Sequence, residues 1–163
     1  MRRTIIIFAI IILLSSSACA HKNTVLMPNH NFKTYKTAYI EILPQDEFNL
    51  GTEIIKELSD LGLDVNMKVA PTNPGPTDML VKYSYDDGWD MAKYLKSFQV
   101  FFFDAKTTSL IASFSYHLEG NYAGTEARVQ SAFDDFRKEA GLPPNNNRPK
   151  IETRIETFDP SRK

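Results

Sequence analysis

The chain has 163 residues, of which 42% are hydrophobic and 24% charged, and its 19 basic and 20 acidic residues give a net charge of -1. That length supports one domain with appendages and a modest core rather than two domains. The lysines and arginines are scattered, so there is no concentrated basic surface and nucleic acid is not an expected partner; the one cysteine rules out an intramolecular disulfide.

Met1-Arg2-Arg3 supplies a positive start, Ile5 to Leu14 is uninterruptedly apolar, and Ser15 to Cys19 is small. These are the three parts of a secretory signal peptide. The apolar run is too short for a comfortable transmembrane helix, which needs about 20 residues, and it lacks the polar side of a core helix. Ser16-Ser17-Ala18-Cys19 resembles a bacterial lipobox, with Ser16 where that pattern prefers Leu. The resemblance implies that Cys19 is acylated (thioether diacylglycerol, palmitate-type chains), becomes the mature N-terminus and makes the lipid bilayer a partner. Ala20 in place of Asp then implies the outer membrane. Ala18-Cys19-Ala20 also satisfies the small-x-small rule of ordinary signal peptidase, which would release a soluble periplasmic protein starting at His21. The lone cysteine favours the lipoprotein, because an unpaired thiol has little use in an exported chain unless it is modified. Removing residues 1–18 takes two arginines and no acid, which moves the net charge from -1 to -3.

After Cys19, residues 20–36 show no sustained period and read as a tether, with His21 and His30 as solvated residues. Thr37 to Leu43 alternates Ala38, Ile40 and Ile42 against Tyr39 and Glu41, a strand that Pro44 ends. Asn49 is the expected cap of a helix whose stripe is Leu50, Ile54, Leu58 and Leu61, closed by Gly62. Leu63, Val65 and Met67 make the next strand before a loop at Pro71 to Pro76. Asp78 to Tyr85 is a strand with Met79, Val81, Tyr83 and Tyr85 on one face, and Asp86 to Asp90 reads as the turn that follows. Tyr94 to Tyr116 is an aromatic hairpin joined by Asp104 to Thr108: Phe98, Val100 and Phe102, with Leu110, Ala112, Phe114 and Tyr116, form the apolar face. Gly120 to Gly124 loops back to a helix from about Thr125 to Ala140, striped by Val129, Ala132, Phe133 and Phe136. Residues 142–163 read as a disordered tail, although Ile151, Thr153, Ile155 and Thr157 alternate as in a short strand. The organisation expected is a signal peptide (1–18), an acylated Cys and tether (19–36), an α+β domain (37–141) and a tail (142–163). Its fold is a two-layer sandwich, β-α-β-β-β-β-α, with a mostly antiparallel sheet and two helices on one face.

The search for chemistry is mostly negative. His117 is the only histidine inside the expected domain, and Cys19 lies outside it, so no Ser-His or Cys-His set assembles. Asp86, Asp87, Asp90 and Asp104 are explained by turns without calcium, no glycine-rich phosphate loop exists, and neither a metal nor a cofactor is expected. What stands out is aromatic. Phe101 and Phe103 fall on the otherwise polar sheet face, and Trp89 and Tyr122 lie near turns; these four are the candidate partner surface.

Asp78-Met79-Leu80-Val81-Lys82-Tyr83 and Phe101-Phe102-Phe103-Asp104-Ala105-Lys106-Thr107 resemble uncharacterised small bacterial lipoproteins of the domain-of-unknown-function type, over about residues 37–140. More remotely, the order of elements resembles envelope lipoproteins that help assemble secretion pores or activate cell-wall synthases. That resemblance implies protein partners and no catalysis. The expectation is therefore a non-enzymatic, membrane-anchored envelope lipoprotein that binds a protein or a cell-wall component such as peptidoglycan, with a periplasmic hydrolase as the alternative.

Overall fold

A computed structural model describes residues 20–28, 30–69, 75–118 and 123–146. The leader, Cys19, Tyr122 and the alternating segment 151–157 lie outside the described residues. The elements are β1 (His21–Leu26), a 3-10 turn (Phe32–Thr34), β2 (Thr37–Ile42), α1 (Leu50–Asp60), β3 (Asp64–Val69), β4 (Met79–Asp90), β5 (Ala92–Asp104), β6 (Leu110–His117) and α2 (Thr125–Glu139). The strands form a six-stranded sheet in the order β1-β6-β5-β4-β2-β3. Pairing is antiparallel at β1/β6, β4/β5 and β5/β6 and parallel at β2/β3 and β2/β4.

The period-two pattern decides which face is covered. Ala38, Ile40, Met79, Val81, Phe98, Val100, Phe102, Ala112 and Phe114 are buried against Leu50, Ile54 and Leu58 of α1 and Val129, Ala132, Phe133 and Phe136 of α2. Both helices therefore cover one face, as the α+β sandwich expectation requires. The centre of this layer is aromatic: Phe102 stacks on Phe136 at 5.2 Å and Phe114 meets Phe133 edge-on at 4.9 Å. Between the helices, Arg137 donates from Nη2 to the backbone oxygen and to Oε2 of Glu57, both at 3.2 Å. The two side chains are only 2% and 5% exposed, so a full ion pair is carried inside the helix layer.

Three local expectations are corrected. Residues 21–26 are not tether: they add to β6 as an edge strand, and Phe32 enters the core against Phe102 and Phe136. β1 draws its hydrogen bonds from a strand about ninety residues away, so it needs no alternation of its own. Asn49 does not cap α1 through its side chain, because it sits in the left-handed region at φ 54°. Asp46 takes that role: its Oδ1 and Oδ2 accept from the backbone N–H groups of Leu50 and Gly51 at 2.9 and 2.7 Å, placing negative charge at the positive end of the helix. Finally, Asp86 to Asp90 is not a turn. β4 runs through it to Asp90, and the chain reverses only at Met91.

Candidate interaction surface

The last correction produces the main surface feature. β4 pairs with β2 only over Met79 to Val81, and β5 pairs with β6 only from Ser97 onward. Between those limits the two strands are paired as a ribbon, which extends as an arm beyond the body of the sheet over Asp87 to Lys93, while Leu95 is buried in the core and the Lys96 carbonyl accepts from the Leu118 N–H at 3.0 Å. A bulge at Asp86/Asp87 marks its root, where an extra residue increases local twist. Across from Gly88 lies Tyr94, and a Cβ at Gly88 would come within 2.5 Å of the Tyr94 ring. Glycine is what lets that ring lie flat over the neighbouring strand. Tyr94 is then buried, with the Arg128 guanidinium 5.7 Å from its centroid. Arg128 is itself anchored by donating to the Ala123 and Leu118 carbonyls at 2.8 and 3.1 Å, and burial lowers its pKa.

The opposite strand of the arm's root is tied to the start of α1. Tyr83 donates to Asp46 Oδ2 at 2.9 Å and accepts from the Leu43 N–H at 3.2 Å. Burial, ahead of the Asp46 carboxylate, pushes its phenol well above the ordinary range. Tyr85 donates to the Gln45 carbonyl at 2.6 Å, and its ring meets Phe48 edge-on. Lys93 bridges Glu47 at 2.6 Å and Asp87 at 3.4 Å. The root is thus held on both sides, while the tip is bare. Trp89 is 77% exposed and Met91 95% exposed. Met91 also takes φ 57°, a left-handed conformation that a hairpin tip usually gives to Gly, Asn or Asp.

The sheet face away from the helices is the second feature. Directly opposed residues share a face, so Asn23, Ser115, Gln99 and Ser84 form one row across it, and Val25, Ser113, Phe101 and Lys82 form the next. Lys82 is bridged to Glu41 at 3.2 Å. Phe101 and Phe103 are half-buried here and stack on one another at 6.4 Å with planes 25° apart. Between Phe101, Val25, Asn23, Gln99, Ser113 and Ser115 is a shallow hollow of about 140 Å³.

A third region lies at the far end of the β4/β5 pair. Tyr35, Asp78, Asp104 and Lys106 line a hollow of about 220 Å³, next to one of about 550 Å³ that includes Thr37, Pro76 and Leu80. Its carboxylates hold loops. Asp104 Oδ1 accepts from the Thr107 and Lys106 N–H groups at 2.8 and 3.0 Å, and Oδ2 accepts from the Tyr35 hydroxyl at 3.2 Å. Asp78 Oδ2 accepts from the Lys36 and Thr37 N–H groups, both at 3.1 Å. These donated hydrogen bonds hold both carboxyls below their usual range, led by Thr107 for Asp104 and Lys36 for Asp78. His117, whose register partners are His21 and Ser97, does not line this hollow.

Of the four residues expected at a partner surface, the structure describes three and does not unite them. Phe101 and Phe103 sit together on the open face. Trp89 is at the arm tip, opposite Lys93, and Lys93 lies eight positions before Phe101 on β5. At about 3.3 Å per residue the two sites are roughly 26 Å apart. Sequence reasoning missed Met91, since a lone methionine beside an apparent turn carries no signal of exposure.

No protein-family model and no curated protein matches the sequence. Among solved structures, a DUF4136 family protein from Bacteroides thetaiotaomicron superposes with a TM-score of 0.53 at 10% identity, covering 76% of this chain and 97% of that one. The PelC dodecamer from Paraburkholderia phytofirmans superposes at 0.51 with 11% identity, covering 77% and 99%. A minor lipoprotein from Acinetobacter baumannii aligns over 65% of this chain and 89% of that one at 15% identity, with a TM-score of 0.32 that is too loose to define a shared fold. The chain therefore has the α+β two-layer fold of the DUF4136 protein and of PelC, and at these identities the likeness is one of fold alone.

Proposed function

We propose that the protein is a lipid-anchored, non-enzymatic component of the bacterial cell envelope, held to the outer membrane through acylated Cys19, that binds another envelope protein or a cell-wall component. The observation that carries the binding part is the arm. Trp89 and Met91 are 77% and 95% exposed at the end of a ribbon whose root is fixed by Asp46, Tyr83 and Arg128 and which Lys93, opposite Trp89, ties to Glu47. Single exposed apolar residues are common, but a rigidly presented Trp-Met pair has the makeup of an interface anchor. The anchoring part rests on the leader and the Cys19 pattern in the sequence. The DUF4136 likeness is compatible with it and adds no activity. The dodecameric state of PelC belongs to that protein; within this proposal it makes a second copy of this chain one candidate partner.

A photo-crosslinking residue at position 89 in the full chain, irradiated in the membrane fraction of a cell that makes it, tests the reading. The expected result is a discrete higher-mass adduct from position 89 and none from position 139, an exposed position on α2. Equal labelling at both positions, or none at either, would sink it.

A further inference from the structure

The arm tip and the hollow on the open face are a knob and a hole on the same molecule. The knob is Trp89, flanked by Met91. The hole is about 140 Å³, floored by the half-buried Phe101 and the 40% exposed Val25, and rimmed by Asn23, Gln99, Ser113 and Ser115. An indole is a flat apolar body with a single N–H donor. The hole offers an aromatic floor for the body and a rim of neutral amide and hydroxyl oxygens for the donor. The hollow carries no charge of its own, and Lys82 beside it is already bridged to Glu41, so no unpaired charge would be left when the rim is dried.

The knob cannot reach the hole of its own chain. The two lie roughly 26 Å apart along the same strand, in a ribbon that the Gly88/Tyr94 contact and the Lys93 bridges hold in place. We infer that the occupant of the open-face hollow is the Trp89 arm tip of a second copy of this chain. This rests on the reading of the arm as a binding element and specifies its partner. Because knob and hole are different patches, the contact is heterologous: each copy gives its tip to one neighbour and receives a tip from another, so the assembly grows into a closed ring or an open row.

The contact is small. One Trp buries about 150–250 Å², far below the roughly 1,200–2,000 Å² of a stable pairwise interface. Association of the free domain is therefore weak, and confinement on a membrane surface, where neighbours are already concentrated, strengthens it.

The test uses cysteine pairs in the full chain, oxidised in the membrane fraction, with Trp89 retained. Met91→Cys places a thiol beside the knob and Ser115→Cys one on the rim. The expected result is a ladder of disulfide-linked multimers on a non-reducing gel from the Met91→Cys/Ser115→Cys chain. The ladder should fall at least tenfold when Trp89→Ala is added, and should be absent from Met91→Cys/Glu139→Cys and from the parent chain. A ladder that Trp89→Ala does not weaken would overturn the inference. So would dimers from Met91→Cys alone that match the pair, which would mean tip meets tip. No ladder, together with a discrete position-89 adduct to a different protein, would overturn the second copy while leaving the arm a binding element; no adduct at all would remove both.

Discussion

Replacing Met91 by glycine separates what the arm tip does for folding from what it does for binding. Met91 is 95% exposed with φ 57°, so its side chain adds almost no packing while its Cβ is crowded against its own backbone. The left-handed conformation costs an L-residue about 1–2 kcal/mol. Glycine removes that cost but makes the unfolded chain more flexible, which returns about 0.4–1 kcal/mol. Met91→Gly should therefore be neutral to about 1.5 kcal/mol more stable, while crosslinking from position 89 falls severalfold because the flank of the anchor is gone. Urea unfolding of a soluble form starting at residue 20, beside the membrane crosslinking assay, reads both quantities. A loss of stability above about 1 kcal/mol would refute the argument, since it would mean that Met91 is folding-relevant packing rather than strained display.

Other predictions concern the scaffold. Glu57→Ala leaves the Arg137 guanidinium, 2% exposed, without its carboxylate and should cost about 3–5 kcal/mol; Glu57→Leu with Arg137→Met should recover most of that loss in the same unfolding assay, and simple additivity of the two changes would contradict the buried-pair account. Gly88→Ala drives a methyl to within 2.5 Å of the Tyr94 ring and should cost about 1–3 kcal/mol, visible as a changed tyrosine near-ultraviolet signal. Tyr39 is 4% exposed, and its hydroxyl has no hydrogen-bond partner among the described residues, so Tyr39→Phe should hold or raise stability by about 1 kcal/mol; a clear loss would reveal a partner for that hydroxyl. Asp78 and Asp104 have folded pKa values depressed by donated N–H groups. Their contribution is fully present above the unfolded value of about 3.9 and is lost as pH falls through the lower folded values. Asp104→Asn should thus flatten the acid limb of stability below about pH 4, and an unchanged limb would show that the Asp104 turn does not need its charge.

How much was legible in the sequence follows from where each element gets its order. The β4, β5 and β6 faces were readable because alternation over Met79 to Tyr83, Phe98 to Phe102 and Ala112 to Tyr116 is imposed by a core on one side only, and those residues are buried as expected. β1 was not, because His21 to Leu26 is an edge strand defined by its partner β6 rather than by its own pattern. Asn49 looked like a cap on residue type, but capping depends on backbone geometry, and Asp46 reaches the same N–H groups from earlier in the chain. The Asp-Asp-Gly of 86–88 carries turn composition, yet the ring of Tyr94 over Gly88 and the bulge before it extend the strand instead. That single misreading hid the arm. Trp89 could be singled out as an aromatic near a turn, whereas its projection on a ribbon depends on where β2 and β6 stop pairing, which no local pattern records.

The proposed compartment rests on the proposed anchor at Cys19, so the most direct measurement is the intact mass of the protein extracted from the membrane fraction of a cell that makes it. The account predicts a chain beginning at Cys19 and carrying acyl groups on that residue. An unmodified chain beginning at His21, recovered from the soluble fraction, would contradict it.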